Sequence, residues 1–89
     1  MKWKDEVTIE KRKNIYRFHM SGNEMPVDQE DVYICDAIEG GMTDDKELLR
    51  LIMKKEDENE VIASLRLAQF VLDYGDFISN DLGHMVIEP

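Results

Sequence analysis

Residues 60–74 read Glu60-Val61-Ile62-Ala63-Ser64-Leu65-Arg66-Leu67-Ala68-Gln69-Phe70-Val71-Leu72-Asp73-Tyr74, and the fold turns on them. Val61, Leu65, Ala68 and Leu72 recur at gaps of four, three and four, the spacing of one helical face, so this stripe is expected to be the buried seam of a long helix. Ile62, Leu67, Phe70, Val71 and Tyr74 make the same helix apolar on more than one side. Such a helix belongs in the middle of a core or in a subunit interface. Gly75 ends or interrupts it, since Phe77 and Ile78 carry the apolar pattern onward.

Working back from this helix, Glu56-Asp57-Glu58-Asn59-Glu60 forms an acidic link to a preceding one. Thr43, Asp44 and Asp45 are good N-cap residues there, and Asp44 with Glu47 has capping-box spacing. Leu48, Leu49, Leu51, Ile52 and Met53 follow, and Lys54-Lys55 suit the negative end of the helix dipole. A further helix is expected over 28–39, with Val27, Asp31, Ile34 and Ile38 on one stripe and Gly40-Gly41 as its stop. The rival reading makes Val32-Tyr33-Ile34-Cys35 a strand.

The first twenty-two residues read as a basic β-hairpin. Trp3, Val7 and Ile9 share one parity and Tyr16, Phe18 and Met20 another, the period of a strand with one buried face. Lys11-Arg12-Lys13-Asn14 is the polar turn, and Ser21-Gly22-Asn23 closes the second strand. Met85-Val86-Ile87 reads as a closing strand within 84–88. The expectation is therefore one α+β domain over 1–89, with a small antiparallel sheet and two or three helices, numbered 26–78, packed on one face.

Charge is distributed unevenly. Residues 1–20 carry a net of +3, residues 21–60 a net of −9 and residues 61–89 a net of −3, for −9 in all. A field this negative on 89 residues repels nucleic acid and anionic lipid and attracts basic partners. The single cysteine, Cys35, has no internal disulfide partner, which fits a reducing compartment; with no apolar leader or membrane-length run, a cytoplasmic protein is expected.

Catalytic chemistry needs convergent groups, and the supply is thin. There are two histidines, His19 and His84, and no spacing of His, Cys or Asp matches a metal site. Gly40-Gly41 lacks the lysine of a phosphate loop, and neither acidic run has the alternation of a calcium loop. No enzyme activity, cofactor or metal is expected. The segment from Pro26 to Ile52 resembles the start of a LuxR-type helix-turn-helix in its order of helix, glycine, acidic cap and helix. A DNA-reading helix would carry Arg, Lys, Asn or Gln toward the groove, whereas Glu56 to Glu60 follow here, so no function is carried over.

The leading expectation is a small regulatory or inhibitory protein that binds a basic surface of another protein, as a nucleic-acid mimic of the phage-inhibitor type. Asp28, Glu30, Asp31, Asp44, Asp45, Glu47, Asp57 and Glu58 would steer association, with exposed Met25 and Tyr33 supplying apolar contact. A second reading makes Lys11, Arg12, Lys13 and Arg17 a nucleic-acid contact on the hairpin. A third makes the apolar helix a homo-oligomer interface.

Overall fold

The computed structural model describes residues 1–13 and 15–79. It is an α+β fold with two small antiparallel sheets and three α-helices. In chain order these are β1 (Lys2–Trp3), β2 (Thr8–Arg12), β3 (Ile15–Met20), β4 (Asn23–Pro26), a 3₁₀ turn (Gln29–Asp31), α1 (Val32–Glu39), α2 (Asp45–Glu56), α3 (Glu60–Tyr74), a second 3₁₀ turn (Gly75–Phe77) and β5 (Ile78–Ser79). One sheet has the order β2-β3-β4 and the other pairs β1 with β5.

The hairpin forms with Ile9 opposite Phe18 and Arg12 opposite Ile15, so Lys11 and Arg12 belong to the strand rather than to the turn. Trp3 is not on that strand. A turn closed by Val7 N–H donating to the Lys4 carbonyl (3.0 Å) separates it, and Trp3 pairs with Ile78 instead. Ser21 and Gly22 do more than end β3. Both take positive φ, 41° and 87°, the signature of a two-residue hairpin turn whose twist matches its strands. They return the chain as β4, with Met20 opposite Asn23. Pro26, lacking an N–H, is tolerated because β4 is an edge strand.

Residues 32–35 are helical. At the far end of α1, Met42 N–H donates to the Ala37 carbonyl (2.9 Å) and Gly41 N–H to the Ile38 carbonyl (3.0 Å), with Gly41 at φ 106°. This is a Schellman stop, and its left-handed position is what requires the glycine. Asp44 caps α2, its side chain accepting from the Lys46 N–H (3.1 Å). Asn59 caps α3 likewise, accepting from the Ile62 N–H (3.0 Å). The expected closing strand at 84–88 and Asn14 of the hairpin turn lie outside the described residues.

The core centres on Phe18, which is fully buried. Its ring lies 4.6 Å from Trp3, 5.4 Å from Phe77 and 5.7 Å from Tyr74, centroid to centroid, bringing strand, helix and terminal turn together. Tilted and edge-to-face rings of this kind add to the burial of their large apolar areas. Tyr16, Val27, Ile34, Cys35, Ile38, Leu48, Ile52, Ala63, Phe70 and Ile78 are buried around them. Burial pushes the Cys35 thiol up, so it stays protonated and acts as a small apolar residue.

The expected seam of α3 is reversed. Val61, Leu65 and Leu72 are 68%, 63% and 76% exposed, and Ala68 is exposed with them. The buried side is Ala63, Leu67, Phe70 and Tyr74, which has the same four-three-four spacing two residues further on. Two residues turn a helix by about 200°, so the two seams run along opposite sides. The side with two aromatic rings removes more area from water, and it is the side that the sheet receives.

Candidate functional site: an acidic cleft beside an apolar ridge

The exposed seam makes α3 a ridge with a cleft on each side. The first cleft, about 270 Å³, lies between α3 and the segment leading into α1. Ile62, Leu65 and Phe70 line its apolar part, and Asp28, Glu30, Asp31, Glu56 and Asp73 supply carboxylates. The second, about 310 Å³, lies toward the start of α2 and is mainly apolar, with Leu49, Leu67, Ala68 and Val71 in its wall.

The first cleft is held by its own polar contacts. Tyr74 Oη donates to Asp31 Oδ2 (2.7 Å) and accepts from the Asp28 N–H (3.2 Å), which ties the 3₁₀ turn to α3. Tyr33 Oη donates to Glu56 Oε2 (2.8 Å), linking α1 to the end of α2. Gln69 Nε2 donates to Asp73 Oδ1 (2.8 Å). Arg66, the one guanidinium in the cleft wall, is bound twice by Glu58, at 2.6 and 2.9 Å. This bidentate pair holds Glu58 below its ordinary carboxylate range.

Among the described residues, none of Asp28, Glu30, Asp31, Glu56 and Asp73 forms an ion pair. Burial raises the Asp31 carboxyl; the Tyr74 hydroxyl works against that, and the charges of Asp28, Glu30 and Asp73 add to the rise. The cleft therefore sets Asp31 among the like charges of Asp28, Glu30 and Asp73, beside exposed leucine and isoleucine, with Arg66 acting on Glu56 at its other end.

The basic hairpin is the opposite case. Lys11 Nζ lies 2.7 Å from Asp36 and 3.8 Å from Glu39, and 5.5 Å over the Tyr16 ring. Arg12 pairs with Glu10 at 2.6 Å and Arg17 with Glu24 at 3.5 Å, while Lys13 is exposed. Tyr16 and Phe18 are buried, which takes their faces away from any base.

Of the other acidic positions, Asp44 is occupied as a helix cap, and Asp45 and Glu47 lie in the first turn of α2. Asp57 takes a left-handed conformation (φ 54°) at the α2–α3 junction, and Glu58 is bound to Arg66. The structure thus gathers Asp28, Glu30, Asp31 and Tyr33 into one cleft and leaves the rest at separate helix ends. Met25 and Tyr33 are half-buried rather than exposed: Met25 lies opposite Phe18 and packs against the core, and Tyr33 is fixed by Glu56. The residues that sequence reasoning missed are Ile62, Leu65, Glu56, Gln69 and Asp73. The signal available for them was the second seam, whose aromatic content marks it for burial and turns the first outward.

No described helix is long and apolar enough to cross a membrane. No family model, curated protein or solved structure matches this chain.

Proposed function

We propose that this chain is a non-enzymatic binding protein whose partner is another protein with a basic surface, received at the cleft between α3 and the Asp28–Asp31 segment. The observation that carries the reading is the set of five carboxylates there without an ion pair, beside exposed Ile62 and Leu65. On the hairpin, by contrast, Lys11, Arg12 and Arg17 each face a carboxylate. A partner cation would relieve the repulsion, and the apolar wall would supply the contact area that exposed charge pairs alone do not.

The inhibitor version of this reading assigns the protein to a cytoplasmic partner whose basic surface otherwise holds nucleic acid. The test compares wild-type protein with the triple variant Asp28→Asn/Glu30→Gln/Asp73→Asn in affinity capture at low and moderate salt, followed by competition with duplex DNA. One basic protein retained by the wild type, lost by the variant and displaced by DNA supports the reading. Equal retention by both would remove it. The hairpin alternative receives less support, since Lys11, Arg12 and Arg17 are already paired.

A further inference from the structure

We infer that the element seated at this site is an amphipathic α-helix of the partner. It lies along α3 with heptad-spaced apolar residues on the Val61–Leu65–Ala68–Leu72 ridge. Its arginines or lysines lie along the flank that faces Asp28, Glu30 and Asp73. The inference rests on the acidic-cleft reading and adds to it the form, composition and orientation of what binds.

The shape comes from the ridge. Gaps of four, three and four place its residues in the row that one helix offers another when knobs pack into holes. From Val61 to Leu72 the ridge presents a contact line of about 17 Å, some three turns. The clefts on either side leave that line standing free, so a second helix can straddle it and set its own flanks over the two clefts.

The composition comes from the difference between the two flanks. On one side Ile62, Leu65 and Gln69 lead into the carboxylates of Asp28, Glu30, Asp31, Glu56 and Asp73. On the other, Ser64, Ala68 and Val71 lead into Leu49 and Leu67, with Lys46 and Asp45 at the border. A helix with basic residues on one flank only can satisfy both, and only in the placement that sets those residues over the acidic cleft. A second copy of this chain fits the charges less well. Its own α3 carries Glu60 and Asp73, with Asp76 in the turn that follows, and would bring carboxylates toward carboxylates.

The test uses the full chain and a synthetic helical peptide of about 18 residues, with leucine at heptad core positions and arginine along one flank. Two controls accompany it: one with the arginines replaced by glutamate, and one with the leucines replaced by glutamine. Binding is read by fluorescence anisotropy against wild type, Leu65→Ser/Leu72→Ser and Asp28→Asn/Glu30→Gln/Asp73→Asn. All the substituted residues are on the surface or half-exposed rim, and thermal unfolding verifies that the variants fold. The leucine–arginine peptide is expected to bind wild type, and each variant to lose about tenfold or more in affinity. Salt dependence should flatten only in the carboxylate variant.

If the leucine-free arginine peptide binds as well, or the seam variant binds unchanged, the helix inference is overturned while the acidic-cleft reading stands. If neither arginine peptide binds and the carboxylate variant behaves like wild type in affinity capture, both fail. A concentration-dependent dimer dissolved by Leu65→Ser/Leu72→Ser would overturn the inference in favour of a second copy on the ridge.

Discussion

Val61 and Ala63 stand two residues apart on α3, one 68% exposed and the other fully buried. Each begins a row of apolar residues with the same spacing, and the fold takes one row and leaves the other facing outward. That choice makes a surface out of what periodicity alone presents as core.

Substitutions on the two rows should therefore differ sharply in cost. Leu65→Ser with Leu72→Ser is expected to change stability by no more than about 0.5 kcal/mol, as exposed positions do. Phe70→Ala should cost about 3–5 kcal/mol through lost burial and a residual cavity, a large share of a small domain's stability. Urea unfolding followed by circular dichroism measures both.

Two left-handed positions should respond in opposite directions. Gly41 sits at φ 106° with open space where a Cβ would be, so Gly41→Ala meets no clash and costs only the backbone strain, about 1–2 kcal/mol. Asp57, at φ 54°, already carries that strain. Asp57→Gly is expected to raise stability by about 0.5–1 kcal/mol, read as a higher urea midpoint with an unchanged slope.

Tyr74 ties the Asp28–Asp31 segment to α3 by serving Asp31 and the Asp28 N–H at once. Tyr74→Phe keeps the ring and removes both contacts. The expected loss is about 1–3 kcal/mol, since a charged acceptor and a backbone donor lose their partner. Hydrogen exchange at the Asp28 amide should accelerate more than at amides in the middle of α2.

The carboxylates give two pH signatures of opposite sign. Glu58 is held below its ordinary value of 4.5 by Arg66, so its stabilising contribution is present at neutral pH and lost as pH falls through the lowered value. Glu58→Gln should lower the melting temperature at pH 7 and leave it unchanged near the acid end, where both proteins carry a neutral group. Asp31, raised above 3.8, is harder to ionise in the fold than outside it. Its cost is present at neutral pH and relieved as pH falls through the raised value. Carbon-detected NMR titration should show a high Asp31 midpoint that moves down when a basic peptide neutralises the cleft.

How much of this was legible depended on how local the signals were. Asp44 caps α2 as its residue type suggests, through the Lys46 N–H rather than a box with Glu47, and Gly40-Gly41 stops α1, because capping chemistry acts within one turn of chain. Tyr16 and Phe18 face inward as their alternation requires. The strand Asn23–Pro26 was not readable, since Asn, Glu and Pro are poor strand formers and the run is held by pairing with β3. The pairing of Trp3 with Ile78 joins the two ends of the described chain, and no local pattern carries it. The acidic cleft combines residues 28–34, 56 and 62–73 from the first 3₁₀ turn and all three helices, and it could be drawn only once the orientation of α3 was known.

The most direct test of the acidic ridge-and-cleft site is backbone amide shift mapping of the ¹⁵N-labelled chain titrated with the leucine–arginine peptide. Shifts concentrated at Asp28–Asp31, Ile62, Leu65, Gln69 and Asp73, with the hairpin residues Lys11 to Arg17 unmoved, are the predicted result. Shifts confined to the hairpin, or none in the cleft at saturating peptide, would contradict it.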